Sequence, residues 1–269
     1  MGICAPTDLD YLVTIFALIR LGYTAFQLSP RLAPSAVREL LALVQHGRRA
    51  LLYAPDHTSF NHGAFGDLEL QPIVMRSEYD KSQHDETPEA PLKGIDYAKE
   101  HYRRCVILHS SGSTGLPKPI DYDNSKLMAT GVYAQDATAF ITMPFSHALC
   151  MLSYMQAIHR RKTIYTMSGY VPQTHDTVTA AIKEANPEIV WTVPYVLKLL
   201  AEKPDGIDAI RNCRFVSSGG SKLPDELGDM LTDAGVHIGM QFGSYVQIHN
   251  TVNDSAKLSH QAELKQVSS

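Results

Sequence analysis

Residues 109–120 read HSSGSTGLPKPI, and this stretch decides how the rest of the chain is interpreted. Its glycines permit tight turns and the close approach of a ligand to the backbone. Its hydroxyl and N–H groups can hold phosphate oxygens, and Lys118 adds a positive charge. Residues 105–108, Cys-Val-Ile-Leu, form a short apolar run of the strand type. The stretch therefore predicts a polar, glycine-rich loop at the end of a buried strand, where open α/β sheets place their ligands.

The composition is that of an ordinary globular protein. The chain has 269 residues, of which 44% are hydrophobic and 19% are charged, enough for one large or two modest domains. A net charge of -4 argues against a nucleic-acid or anionic-membrane partner. The four cysteines are scattered and form no CxxC pair, which argues against a disulfide framework or a zinc site. We therefore expect a protein of the reducing cytoplasm.

The apolar run at residues 9–19 is interpreted as a core helix. Asp8 and Asp10 stand where a signal peptide would carry basic residues, and no small-residue cleavage site follows. The run is also too short to span a membrane. Thr7 or Asp8 is the expected N-cap, and Gly22 marks the expected end of the helix.

Helical and strand patterns alternate along the chain. This alternation predicts an α/β fold with largely parallel sheets and flanking helices. Residues 78–95 are polar and predict a surface loop, and residues 245–269 predict a polar tail of poor order. We expect helices at 9–19, 35–45, 177–185, 196–202 and 224–234, and strands at 25–28, 50–54, 138–143, 163–166, 189–193, 214–218 and 236–241.

The glycine-rich stretch matches neither common nucleotide motif. Pro117 stands where a Walker loop starting at Gly112 needs its second glycine, and the dinucleotide pattern GxGxxG is absent. A plain surface turn is the alternative for a Ser/Gly cluster. The ordered pattern Ser-Ser-Gly-Ser-Thr-Gly-x-Pro-Lys is specific enough to favour nucleotide binding over that alternative.

This pattern resembles the phosphate loop of adenylate-forming (AMP-binding) enzymes, which include acyl-CoA synthetases, luciferases and the adenylation domains of nonribosomal peptide synthetases. The flanking His109 and Pro119-Ile120, together with residues 20–23 and 28–31, resemble fungal adenylate-forming reductases and synthetase-like enzymes. The resemblance covers about residues 3–244 and implies a partial N-terminal domain over residues 1–244. It implies Mg²⁺-dependent conversion of a carboxylate and ATP to an acyl adenylate and pyrophosphate, as in fungal secondary metabolism.

The resemblance also implies a phosphate site. Lys118 would take part in catalysis, although the alternative for a lone lysine is a solvated surface residue. A leaving pyrophosphate needs cationic and N–H donors, which agrees with the residue types present. The implied contacts to the ATP phosphates are Ser110, Ser111, Gly112, Ser113, Thr114, Gly115 and Lys118.

Residues 144–147, Pro-Phe-Ser-His, resemble the motif that borders the acyl pocket of the family. His147 would stand near the reacting carboxylate, where a histidine can orient or neutralise it. A structural histidine is the alternative. The aspartate that holds the amine of an α-amino acid is not evident, so we expect an aryl, keto or fatty acid.

Two later segments resemble the adenine side of the family's site. Gly219, Gly220 and Ser221 would pack on the adenine and the acyl group, although a strand-to-helix turn would also use such glycines. Phe242 would stack on adenine, with Gly243 beside it; the alternative for Phe242 is an ordinary core aromatic.

The resemblance ends at Tyr245-Val246, where the family continues Thr-Glu. That glutamate helps to hold Mg²⁺, and valine offers no oxygen ligand. The ribose aspartate, a downstream arginine and the catalytic lysine of the small C-terminal domain are not found either. We therefore expect a truncated domain, impaired or inactive alone, whose break looks like a shifted frame, a retained intron or an early stop.

A protein without catalysis is the competing hypothesis. Such a chain would bind a nucleotide or a partner, or would be a remnant with no role. Exposed apolar surface in a fragment would favour association with a complementary chain. A dedicated metal site is not expected, because the closest histidines, His57 and His62, lack helical spacing and a third ligand.

Overall fold

A computed structural model describes residues 1–44, 49–56, 70–75, 96–110, 117–133, 135–244 and 247–251. The chain divides into two compact units, which we call unit 1 (residues 1–136 and 143–172) and unit 2 (residues 137–142 and 173–269). Parallel strands dominate both, so the predicted α/β class with largely parallel sheets is confirmed. The predicted loop at 78–95 lies outside the described residues.

The described elements follow one another as helices and strands of ordinary length. The helices are α1 (Leu9–Arg20), α2 (Pro34–Leu43), α3 (Tyr97–His101), α4 (Asn124–Ala129), α5 (Ala148–Arg160), α6 (His175–Ala185), α7 (Pro194–Leu200), α8 (Pro204–Arg211) and α9 (Asp225–Asp233). The strands are β1 (Gly2–Cys4), β2 (Ala25–Leu28), β3 (Arg49–Tyr53), β4 (Leu70–Val74), β5 (Arg104–His109), β6 (Pro119–Asp123), β7 (Ala139–Ile141), β8 (Ile164–Thr166), β9 (Ile189–Thr192), β10 (Phe215–Gly219), β11 (Ile238–Ser244) and β12 (Gln247–Thr251).

The sheet of unit 1 has the strand order β4-β3-β1-β2-β5-β6. Neighbouring strands are parallel except β5 and β6, which are antiparallel with His109 opposite Pro119. Residues 110–118 therefore connect the two strands of a hairpin. The apolar face of α2 packs on one side of the sheet, in a core that includes Phe26, Leu28, Leu40 and Leu51.

Helix α1 confirms the predicted core helix and decides between its two candidate caps. The carboxylate of Asp8 accepts a hydrogen bond from the N–H of Tyr11 at 2.7 Å, so Asp8 is the N-cap. Tyr11, Ile15 and Leu18 form the buried face of the helix. Gly22 follows the helix with φ of 85°, a conformation that glycine adopts without strain.

In the sheet of unit 2, hydrogen-bonded neighbouring strands follow the order β12-β11-β10-β9-β7. The pairs β11–β10, β10–β9 and β9–β7 are parallel, and β12 is antiparallel to β11. The carboxyl ends of β9, β10 and β11 therefore meet at one edge, which carries Thr192, Gly219 and Gln241. Strand β12 lies in the segment for which the sequence predicts poor order.

Three helices of unit 2 meet at His175, the first residue of α6. The ring is buried; its Nδ1–H donates to the carbonyl of Leu199 in α7 and its Nε2–H donates to the carboxylate of Asp205 in α8, both at 2.9 Å. Both partners are acceptors, so the geometry selects the doubly protonated ring. The bond to Leu199, followed by Asp205, raises the pKa of His175. The other charged side chains at this junction are Asp176, Lys183 and Lys203.

Alkaline pH is expected to weaken unit 2 through this ring. Because the folded pKa of His175 lies above its unfolded value of about 6.5, its stabilisation is complete below that pH. It is lost as the pH rises through the folded pKa. Urea denaturation of the wild type and of His175→Gln across pH 5 to 9 measures this; the difference in unfolding free energy should shrink with rising pH. A constant difference would contradict the doubly protonated ring.

Within the described part of the chain, no helix combines the length and the apolar character that crossing a membrane requires.

Candidate functional site

The two ends of the 110–118 segment are joined by hydrogen bonds. The Ser110 N–H donates to the Lys118 carbonyl at 2.9 Å, and the Lys118 N–H donates to the Ser110 hydroxyl oxygen at 3.0 Å. The Lys118 side chain is exposed, so its charge is available to a ligand. Five predicted phosphate contacts lie outside the described residues: Ser111, Gly112, Ser113, Thr114 and Gly115.

His109, the last residue of β5, ties this segment to the neighbouring strand. Its Nε2 accepts a hydrogen bond from the Ser29 N–H at 3.1 Å, just beyond the end of β2. Its Nδ1–H then donates to the Ser110 carbonyl at 3.0 Å, which assigns a neutral ring. Burial lowers the pKa of His109, in agreement with the neutral form.

The 144–147 motif is anchored on the start of α1. The Phe145 N–H donates to the Thr7 hydroxyl oxygen at 3.1 Å, so Thr7 holds this motif and is not the cap of α1. The Phe145 ring is buried and stacks on Tyr11, with ring centroids 5.6 Å apart and planes within 8°. The position of His147 is therefore fixed by contacts on its N-terminal side.

His147 is the N-cap of α5. Its Nδ1 accepts a hydrogen bond from the Leu149 N–H at 3.3 Å, which places the proton of the neutral ring on Nε2. Burial lowers the pKa of His147, and the neighbouring His109 imidazole lowers it further to a smaller extent. One nitrogen thus serves the helix, as the structural alternative requires. The other is left as an N–H donor without an acceptor in the part of the chain that the structure describes.

The second group of predicted residues lies in unit 2. Gly219 ends β10, and Gly220 follows it with φ of 84°, so the turn requires glycine at that position. Ser221 is exposed, while the Ser218 hydroxyl is fully buried and has no partner among the described residues. The strand-to-helix alternative is also satisfied, because α9 begins at Asp225.

Phe242 and Gly243 lie in β11, the strand beside β10. Their backbone pairs with His249 and Ile248 of β12. The predicted adenine-side residues therefore come from adjacent strands, as a shared site requires; the predicted stacking role of Phe242 remains a prediction.

The sequence predicts roles for Ser110, Lys118 and His147, and these remain predictions; it does not predict the hydrogen bonds of His109 and Thr7. In the sequence, His109 stands out only as a residue that flanks the glycine-rich stretch. The signal that could have singled it out is a histidine placed directly between a buried strand and the glycine-rich stretch. Thr7 gave no such signal, because its partner Phe145 is 138 residues away in the sequence.

No magnesium site is evident among the residues that the structure describes. Valine occupies position 246, where the resemblance expects the glutamate, and this position is outside the described residues, as are His57 and His62. Among the residues that are described, no group of three or more His, Cys, Asp or Glu side chains could hold a metal ion.

The chain is similar in sequence to known proteins. The model of the AMP-binding enzyme family matches residues 1–244. A non-canonical non-ribosomal peptide synthetase of Acremonium egyptiacum is 27% identical over 247 residues, which are 86% of this chain and 22% of that protein. An adenylate-forming reductase of Aspergillus terreus is 25% identical over 263 residues, 90% of this chain and 24% of the reductase. The chain thus spans about a quarter of these relatives.

A solved structure gives the same fold. The luciferase-like enzyme of the mealworm Zophobas morio superposes with a TM-score of 0.74 at 16% identity, covering 96% of this chain and 63% of that enzyme. The family match over nearly the whole described chain confirms the resemblance inferred from residues 110–118. The chain belongs to the AMP-binding enzyme family and is a partial adenylate-forming domain relative to its longer relatives.

Proposed function

We propose that this chain is the nucleotide-binding part of an enzyme of fungal secondary metabolism that activates a carboxylic acid with ATP. The observation that carries the proposal is the closed pairing of Ser110 with Lys118 at the carboxyl edge of the unit 1 sheet. It presents an exposed lysine within a segment whose sequence has the family's phosphate-binding pattern.

The reaction would join a carboxylate oxygen to the α-phosphorus of ATP and release pyrophosphate. Negative charge then grows on the leaving pyrophosphate, and the Lys118 ammonium is placed to offset it. The Lys118 backbone is held at both its N–H and its carbonyl by Ser110, so the lysine stem starts from a fixed point. Lys118 therefore acts on both binding and reaction.

His147 supports a role on the acyl side. Its neutral ring offers Nε2–H as a donor to a carboxylate oxygen, while Nδ1 remains occupied by α5. A neutral donor orients the carboxylate without forming an ion pair, which would reduce the nucleophilicity of the oxygen. We propose an aryl, keto or fatty acid as substrate, because no carboxylate is evident that would hold an α-amino group.

Catalysis by this chain alone is expected to be weak, because Val246 cannot supply the oxygen ligand of the family's glutamate. This same observation favours the second candidate function, nucleotide binding without adenylation. The two candidates differ in one measurable respect, since both bind nucleotide and only the first exchanges pyrophosphate.

Stable acyl-adenylate analogues test the proposal. Calorimetric titrations would compare sulfamoyl adenosines that carry a benzoyl, a 2-keto acyl, a fatty acyl or an α-aminoacyl group. We expect one of the first three to bind at least tenfold more tightly than AMP and than the α-aminoacyl analogue. Equal affinity for all analogues and AMP would contradict an acyl site. Robust carboxylate-dependent ATP–pyrophosphate exchange would reject the noncatalytic candidate and show that Val246 is not limiting.

A pair of His147 variants separates its two roles. Asparagine is a good N-cap, so His147→Asn is expected to keep the stability of the protein, whereas His147→Ala loses the cap and about 1 kcal/mol. Neither variant presents Nε2–H, and both should bind the preferred acyl analogue about 5- to 10-fold more weakly. AMP affinity is the control and should not change. If the asparagine variant binds the analogue as the wild type does, His147 is only a helix cap.

A further inference from the structure

We propose that His109 is a positioning residue that fixes the entrance of the nucleotide-binding segment, and that only its neutral ring can do so. This inference rests on the proposed function and adds a residue and a form of pH regulation to it. His109 itself need not touch the nucleotide.

The ring joins two strands that are far apart in the sequence. Ser29 and His109 are separated by 80 residues, yet the Ser29 N–H donates to Nε2 of the ring because β2 and β5 are parallel neighbours. The ring therefore has a fixed support at the carboxyl end of β2.

The opposite side of the ring holds Ser110. Nδ1–H donates to the Ser110 carbonyl, which fixes the orientation of the peptide group that leaves Ser110. Ser110 in turn makes both hydrogen bonds to Lys118. A continuous path of hydrogen bonds thus runs from Ser29 through His109 and Ser110 to Lys118, the residue that carries the positive charge.

Protonation would break this path at its first bond. A proton on Nε2 would face the Ser29 N–H, so that two donors would oppose each other at 3.1 Å. The added charge would also lie near His147, whose pKa is lowered by burial and, to a smaller extent, by His109. The Cys4 thiol donates to the Ser29 carbonyl, so it offers no negative charge to compensate. Burial of the ring, which is 8% exposed, further disfavours the charged form.

The sign of the pH effect follows from the lowered pKa of His109. The neutral ring stabilises the folded entrance fully above the unfolded value of about pH 6.5. This stabilisation falls as the pH drops below that value toward the folded pKa. ATP binding involves the folded protein, so ATP affinity should stay constant while the ring is neutral and weaken as the pH falls through the folded pKa, which lies below 6.5, apart from the titration of ATP itself.

Two amide substitutions divide the ring's hydrogen bonds between them. The His109→Asn side chain can place its N–H₂ group where Nδ1–H lies, which keeps the bond to Ser110 and loses the bond to Ser29. The His109→Gln side chain can place its oxygen where Nε2 lies, with the reverse result. His237→Asn, at an exposed histidine, is the matched control.

The experiment measures ATP affinity by calorimetry between pH 5.5 and 8, together with the hydrogen exchange of the Ser29 and Lys118 amides. At pH 8 we expect His109→Asn, which lacks the Ser29 bond as the protonated ring would, to bind ATP about threefold more weakly than the wild type, and His109→Gln about tenfold more weakly. Ser29 exchange should accelerate in the asparagine variant, and Lys118 exchange in the glutamine variant. In the wild type, ATP affinity should fall at acidic pH by more than the protonation of ATP itself explains. This additional loss should disappear in both His109 variants and persist in His237→Asn.

Equal ATP affinity in all four proteins, with the same pH profile, would overturn the inference. A purely structural role would instead lower the thermal stability of both variants and weaken ATP binding equally. If the wild type binds no ATP, the proposed function fails, and with it the link between His109 and nucleotide. Amide exchange then still tests whether the hydrogen bonds from Ser29 to Lys118 hold the segment. Unchanged exchange of the Ser29 and Lys118 amides in the variants would show that they do not.

Discussion

Replacing Lys118 by alanine is expected to weaken ATP binding by about 10- to 100-fold without unfolding the protein. Hydrogen bonds to charged groups contribute about 1.5–3 kcal/mol, which corresponds to this loss of affinity. Stability should be preserved because the Lys118 side chain is exposed. Position 118 makes both hydrogen bonds to Ser110 through its backbone N–H and carbonyl, which alanine retains. Calorimetric titration with ATP at fixed ionic strength measures the effect.

Lys126→Ala is the matched control for the loss of one charge. Lys126 is an exposed lysine of α4 in the same unit, paired with Asp123 at 3.5 Å. Such a surface pair contributes little, so its removal should change ATP affinity less than twofold and stability by at most about 1 kcal/mol. An equal loss of affinity in both variants would show that Lys118 acts through net charge alone and not through a local contact.

Gly206→Ala is expected to have the largest effect on stability, with a loss of about 2–3 kcal/mol in the unfolding free energy of unit 2. A Cβ atom at this position would overlap the Leu200 carbonyl oxygen and would lie 2.8 Å from Cε1 of His175. Neither neighbour can yield easily, because Leu200 ends α7 and His175 is hydrogen-bonded to both α7 and α8. The methyl group would push apart the junction of three helices.

Gly228→Ala gives the matched comparison in α9. The nearest atom to a Cβ there is a methyl carbon of the Leu223 side chain at 3.3 Å, which can move. Alanine has the higher helix propensity, so this variant should be neutral or up to about 1 kcal/mol more stable than the wild type. Urea denaturation followed by circular dichroism compares the two variants. The clash is refuted if both change stability in the same direction and by the same amount.

The elements that the sequence predicts well are those with local signals. Helix α1 follows from Asp8 and an unbroken apolar run, and β5 follows from the apolar residues before the glycine-rich stretch. Helix α7 begins two residues before the predicted start because Pro194 occupies its first turn, where proline needs no N–H partner. The helix predicted at residues 35–45 corresponds to α2, which ends at Leu43. Residue 45, the predicted end, lies outside the described residues.

The sequence pattern does not predict the elements that lack such signals. Helix α5 starts at a histidine cap, which is not among the preferred N-cap residues, and α8 contains Gly206, which lowers helix propensity. Strand β6 begins with a proline and alternates with aspartates, yet its position is fixed by antiparallel pairing with β5. Tertiary contacts decide these elements, and a local pattern cannot reveal them.

The same division holds for the candidate site. Ser110 and Lys118 are predicted from their order in the chain, and the structure shows that hydrogen bonds join them. The role of His109 depends on the parallel pairing of β2 with β5, which brings Ser29 to the ring. The charge of His175 likewise depends on two acceptors that lie 24 and 30 residues further along the chain.

Equilibrium binding of ATP to the whole chain tests the central claim most directly. Calorimetric titration at pH 7.5, repeated in the presence of excess AMP, measures the stoichiometry and the competition. We predict one saturable ATP site per chain, occupied competitively by AMP and weakened by Lys118→Ala. Absence of saturable binding at millimolar ATP, in protein that circular dichroism shows to be folded, would contradict the assignment of residues 110–118 to nucleotide binding.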